Sequence, residues 1–189
     1  MSLINLLKSA MNPTASAKAG SQTCEGRKLE TTYHITAYDK NGNLKWEETF
    51  KNLVVNEGLN DSLDKHLKGS AYTAAWYVGL TAGTPTPDAG DTMAVHAGWT
   101  KVTAYSQANR PALTLGAVSG QSVNNTGNEA EFTINANNTV IGGAFITSNN
   151  TKGGTTGILY GVGAFTAGDK TLDDLDTLKV TVTLSASAT

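Results

Sequence analysis

Polar and apolar residues alternate from position 29 to position 50, on both sides of Asp39-Lys-Asn-Gly-Asn43. A period of two puts every second side chain on one face of an extended chain, and Asn-Gly supplies the positive-φ residues of a tight reversal, so this segment predicts a β-hairpin. The same pattern recurs down the chain. Stretches rich in apolar and β-branched residues, at 74–80, 99–105, 113–118, 130–134, 140–147, 157–165 and 178–184, are separated by Gly, Asn, Asp and Pro. With the hairpin this makes an all-β chain, a β-sandwich or jelly roll of about eight to nine antiparallel strands with one short helix and an N-terminal arm.

The helix is expected just after the hairpin. Asn56 stands as its N-cap, and Leu59, Leu63 and Leu67 recur at i, i+4 and i+8. Lys65, His66 and Lys68 suit its last turn, and Gly69 is placed to stop it. The leucine face is expected to pack on a sheet, with Val54 and Val55 continuing the apolar surface. Residues 1–28 are expected to be a separate arm and linker ahead of a single β-sandwich domain at 29–189: Leu3, Ile4, Leu6 and Leu7 could line one face of a short helix, and Pro13 opens an Ala/Ser/Gly-rich linker. A frayed terminus is the plainer alternative, since an isolated helix shorter than about 12 residues is marginal in water.

A chain of 189 residues is long enough to bury one genuine core. Its 16% of charged residues and net charge of -2, with no basic run, lack the cationic surface that a phosphate backbone demands, so nucleic acid is not an expected partner. The brief apolar stretch at the N-terminus is too short for a signal peptide or a membrane span, which predicts cytoplasmic synthesis. Cys24 is the single cysteine, so no disulfide within the chain is expected.

Residue types that carry chemistry are present but scattered. His34, His66 and His96 fall on a hairpin strand, a helix end and a long loop, without the spacing of zinc ligands. Gly116-Ala-Val-Ser119-Gly120 lacks the spacing and the following helix of a nucleophile elbow. Asp39, Asn41 and Asn43 miss the calcium-loop pattern, because Gly42 comes fourth and Phe50 stands twelfth. Asp169, Asp173, Asp174 and Asp176 have the oxygen ligands calcium takes, but read more simply as a solvated turn before the last strand. Gly157-Ile-Leu-Tyr-Gly161-Val-Gly163 matches no phosphate cradle and reads as a strand whose glycines allow close packing. Trp46, Trp76, Tyr77, Trp99 and Tyr105 can be sugar-stacking platforms, yet aromatics on alternating strands are more often core. Neither a catalytic residue nor a cofactor is expected. The segment 81–98, with Pro85 and Pro87, is long for a compact domain and is expected to be a binding loop or a disordered one.

Several stretches in series resemble cement or decoration proteins, small capsid-stabilising virion proteins of tailed bacteriophages. They are Asn52-Leu-Val-Val-Asn-Glu-Gly-Leu59, Trp76-Tyr-Val-Gly-Leu80, His96-Ala-Gly-Trp-Thr100 and Tyr105-Ser-Gln-Ala-Asn-Arg-Pro111, followed by Gly142-Gly-Ala-Phe-Ile-Thr-Ser148, Lys152-Gly-Gly-Thr-Thr-Gly157 and Leu178-Lys-Val-Thr-Val-Thr-Leu184. The resemblance covers residues 50–185 and implies a non-enzymatic β-sandwich or jelly roll, made in the host cytoplasm and bound in many copies to the capsid exterior. It implies the major capsid protein as partner, with a homo-oligomer, dimer or trimer, as the bound form and no membrane contact. The elements expected to touch the capsid or a neighbouring subunit are the arm, through Leu3, Ile4, Leu6 and Leu7, and the long loop, through Pro85 and Pro87. A head-fibre or tail-associated virion protein that binds host glycans is the alternative.

Overall fold

Alternation in the sequence becomes alternation in burial. The computed structural model describes residues 27–72 and 75–188. Its first strand, β1 (Arg27–Tyr38), buries Thr31, Tyr33, Ile35 and Ala37 and leaves the residues between them half-buried. It turns back into β2 (Leu44–Lys51) through the expected reversal, where Asp39 Oδ1 accepts the amides of Asn41 and Asn43 at 2.8 Å each and Gly42 takes φ 83°. The other side of β1 pairs along its full length with β12 (Thr177–Ala188), the last strand of the chain.

The remaining elements are β3 (Leu53–Val54), α1 (Asn56–His66), β4 (Tyr77–Ala82), β5 (Thr100–Lys101), β6 (Ser122–Asn124) and β7 (Ala130–Thr133). After them come β8 (Thr139–Ile141), β9 (Gly143–Thr147), β10 (Leu159–Ala164) and β11 (Lys170–Leu172). Every pairing is antiparallel, and the chain is all-β with one short helix. One sheet runs β2-β1-β12-β6, with β7 also on β12, and the second runs β3-β10-β9-β4-β5. The two share a core in which Tyr33, Ile35, Phe50, Val180 and Val182 meet Val78, Leu80, Ala144 and Ile146.

The second sheet is buried on both faces, which explains why β9 has no polar alternation: all five of its residues are buried. Its outer face carries Phe145, Leu159 and Val162, and these pack with Val55, Met93 and Trp99. Met93 and Trp99 belong to the long 81–98 connection and its end, so much of that connection folds down as a cover. It is held there by Trp99 Nε1 donating to Asp91 Oδ2 at 2.8 Å and by His96 stacked on the Trp99 ring at 3.8 Å. The glycines of β10 serve close approach as expected, because a β-carbon on Gly161 or Gly163 would run into Asn52 or Lys51 and Phe50.

Several expectations change in detail; the stretch expected as a strand at 99–105 is one only at Thr100–Lys101. The segment 140–147 is two strands, since Gly142 turns its amide to Thr81 and β8 leaves to pair with β11 in a separate small sheet. Residues 113–118 make no strand; Leu113 is tied by one amide to Trp76. Asn56 is the first helical residue, and Val55 occupies the cap position in an extended conformation with no side-chain cap bond. The helix ends at His66 with Leu67 as its cap, earlier than the stop expected at Gly69; Gly69 lies two residues past the cap with φ 79°, where the Ser70 amide returns to the Asp64 carbonyl at 3.1 Å. Among the described residues no helix is long and apolar enough to cross a membrane.

Candidate docking surface

The helix does not pack as its leucines suggest. It meets β10 through Gly58, buried against the Tyr160 backbone, and Glu57 accepts the Leu159 amide at 2.7 Å. Leu59, Leu63 and Leu67 point away and are 40%, 57% and 77% exposed. A leucine stripe normally goes to the core. Here backbone contact with β10 requires the residue without a side chain to face inward, and the leucines are turned out.

Setting the helix on the sheet by its small side leaves an open cleft of about 420 Å³ at this end of the molecule. One wall is the end of the first sheet, with Val123 of β6 beside Leu184 of β12. The other wall carries Ile146 of β9 and Tyr160 of β10, with Trp76 set edge-on to the Tyr160 ring at 5.5 Å. Leu113 and Leu115 complete an apolar floor. Asp61, Ser62, Lys65 and His66 of α1 and Arg27 of β1 form a mixed rim with more cations than acids. Burial raises the Tyr160 phenol, Ser62 and Arg27 pull it down, and Asp61 adds to the rise. At the lip, Tyr72 and Val118 are 68% and 75% exposed. Such an arrangement is built to receive an apolar group by shape, with the rim selecting the charge beside it.

The residues singled out from sequence fall in different places. Leu3, Ile4, Leu6 and Leu7 lie outside the described residues. Pro85 is buried and Pro87 half-buried, and the large apolar residue the long connection exposes is Val95. Trp99 and Tyr105 are in the cores, Trp46 packs on Phe165, Tyr77 is half-buried in β4, and Trp76 lines the cleft. Ser119 begins a two-residue hairpin turn in which Gly120 and Gln121 both have positive φ, so no helix follows it.

His34 bonds Thr49, His96 stacks on Trp99 and His66 stands on the cleft rim. Among the described residues, no three His, Cys, Asp or Glu side chains gather in a metal-holding group. The C-terminal acids are not one solvated cluster: Asp176 is 4% exposed and receives Lys45 at 2.6 Å, while Asp169 reaches Thr84.

No local sequence pattern marks the cleft. Its lining comes from segments far apart in the chain, and Trp76 and Tyr160, which line it half-buried, look in sequence like any other strand aromatics. No family model and no curated protein matches the chain.

Proposed function

We propose that the chain is a structural virion protein that binds the outer surface of a tailed-phage capsid and stabilises the shell, with the major capsid protein as its partner. The observation that carries this is the apolar cleft with its exposed lip, Tyr72 and Val118, at the end of the molecule where Arg27 leads in from the N-terminal segment. A surface of this kind binds a macromolecular edge or loop by fit, and many modest contacts add up when copies are arrayed on a lattice. The ordered stretches that resemble cement proteins support the same role. The N-terminal segment, with Leu3, Ile4, Leu6 and Leu7, is the second contact element.

Val118→Glu tests the cleft, because Val118 is exposed and its replacement leaves the core intact. Binding to undecorated heads is expected to weaken about tenfold, the effect of losing roughly 1.4 kcal/mol of apolar contact. Undiminished binding by a correctly folded variant removes the cleft from the interface. Deleting residues 1–23 tests the arm in the same way, and binding equal to that of the full chain removes the arm.

A further inference from the structure

The cleft opens where the chain enters the fold. Arg27, the first residue of β1, and Leu29 both line it, and Arg27 pairs with Ala188 at the end of β12. β1 runs inward from that point, so the 26 residues ahead of Arg27 meet the domain at the cleft itself. The floor they meet is apolar and unfinished, because Trp76, Leu115, Tyr160 and Leu184 pack on the main core from one side and are only partly buried. A cavity of about 420 Å³ has room for a few side chains, not for the face of another protein.

We propose that the floor of the cleft is filled by the chain's own N-terminal segment, with Leu3, Leu6 and Leu7 as the inserted side chains. These three stand at i, i+3 and i+4, the spacing by which an amphipathic helix seats itself in a groove. A helix this short is marginal in water by itself, so the groove supplies what holds it. Residues 3–7, Leu-Ile-Asn-Leu-Leu, carry no charge, and the mixed rim of Arg27, Asp61 and Lys65 does not oppose them.

Reach and concentration favour this segment over a separate molecule. Leu7 stands 20 residues before Arg27, a stretch that extends to about 66–72 Å. Helix α1, which flanks the cleft, has 11 residues and is about 16 Å long, so the tether reaches the whole floor without strain. Attachment at the rim gives the segment an effective concentration on the order of millimolar. It therefore takes the floor ahead of a free partner of equal affinity at micromolar concentration. Tyr72 and Val118 stay exposed at the lip, where the proposed capsid contact then falls. The docking does not rest on the capsid reading, since it is measured on the free protein.

Nuclear magnetic resonance of the free, full-length chain is the test. A nitroxide is attached at Ser9→Cys in a Cys24→Ser background, and signals of Ile146, Tyr160 and Leu184 are compared with the label oxidised and reduced. With the label oxidised these signals are expected to lose most of their intensity. Replacing Leu3, Leu6 and Leu7 together by Asp is expected to restore them and to leave the rest of the spectrum in place, because all three precede the folded domain. In a mixture of nitroxide-labelled, unenriched chains and label-free, isotope-enriched chains, the floor signals are expected to stay sharp. Broadening confined to Arg27 and Leu29, or floor broadening that survives the triple replacement, overturns the proposal. Floor broadening in the mixture also overturns it and assigns the floor to the segment of a second copy. None of these results bears on head binding, and a chain that fails to bind heads can still fill its own cleft.

Discussion

Gly58 of the helix lies directly against Tyr160 of β10, so close that a β-carbon at position 58 would overlap the Tyr160 carbonyl oxygen. That carbonyl also accepts the Val55 amide at 3.2 Å, so it cannot move aside freely. The contact fixes which side of the helix is inside, and with it both the leucine stripe and the helical rim of the cleft. In an unconstrained helix Gly→Ala is stabilising by about 1 kcal/mol. Overpacking against backbone costs about 1–3 kcal/mol and wins here. Gly58→Ala is therefore expected to lower stability in urea denaturation, and a variant as stable as the parent would contradict the packing described.

Arg110 is 3% exposed and acts as a clamp on the 148–157 connection. Its two terminal nitrogens donate to the carbonyls of Asn149 at 2.8 Å and Gly154 at 2.9 Å, its amide reaches Asn150, and its guanidinium lies over the Phe145 ring at 5.2 Å. Hydrogen bonds from a charged group contribute about 1.5–3 kcal/mol each. Arg110→Ala is expected to cost about 3 kcal/mol and to speed amide exchange in residues 149–154. Arg110→Lys should recover less than half, because an ammonium lacks the planar fork that spans both carbonyls. Full recovery by lysine would show that charge alone matters.

Glu48 makes stability depend on acid. It is buried, and burial by itself raises its pKa. The Ala167 amide, the Thr166 hydroxyl and amide, and Lys170 outweigh that and hold the carboxyl below its ordinary value. With the folded pKa below the unfolded one, the stabilisation is fully present above the unfolded value near 4.5 and is lost as pH falls through the folded value. Glu48→Gln should flatten the part of the stability–pH curve below about pH 4.5 that this residue causes. At pH 7 it should cost about 1–2 kcal/mol, as the charge-assisted bonds from Thr166 and Ala167 become neutral. An unchanged slope in chemical denaturation across that range would assign acid sensitivity elsewhere.

Local rules read the hairpin, the helix and the close-packed β10 glycines directly, since each is a property of a few neighbouring residues. What was not legible depends on contacts between distant segments. Leu59, Leu63 and Leu67 describe an apolar stripe, but which way it points is set by Gly58 meeting Tyr160 a hundred residues later. Arg110 sits in Asn-Arg-Pro, a sequence indistinguishable from a solvated loop until Asn149 and Gly154 close around it. That the long connection folds down as a cover is not legible locally, because its apolar anchors, Met93 and Trp99, are spaced without period; they follow the contour of the sheet they cover.

The proposed role is attachment of the molecule's exterior to a phage shell. Purified protein added to expanded, undecorated heads tests it most directly, with copies bound per head and the temperature of shell opening both measured. Saturable binding at a fixed ratio to the major capsid protein, with a higher opening temperature, is the predicted result. Heads that take up no protein, or that bind it and open at the same temperature, would contradict the account.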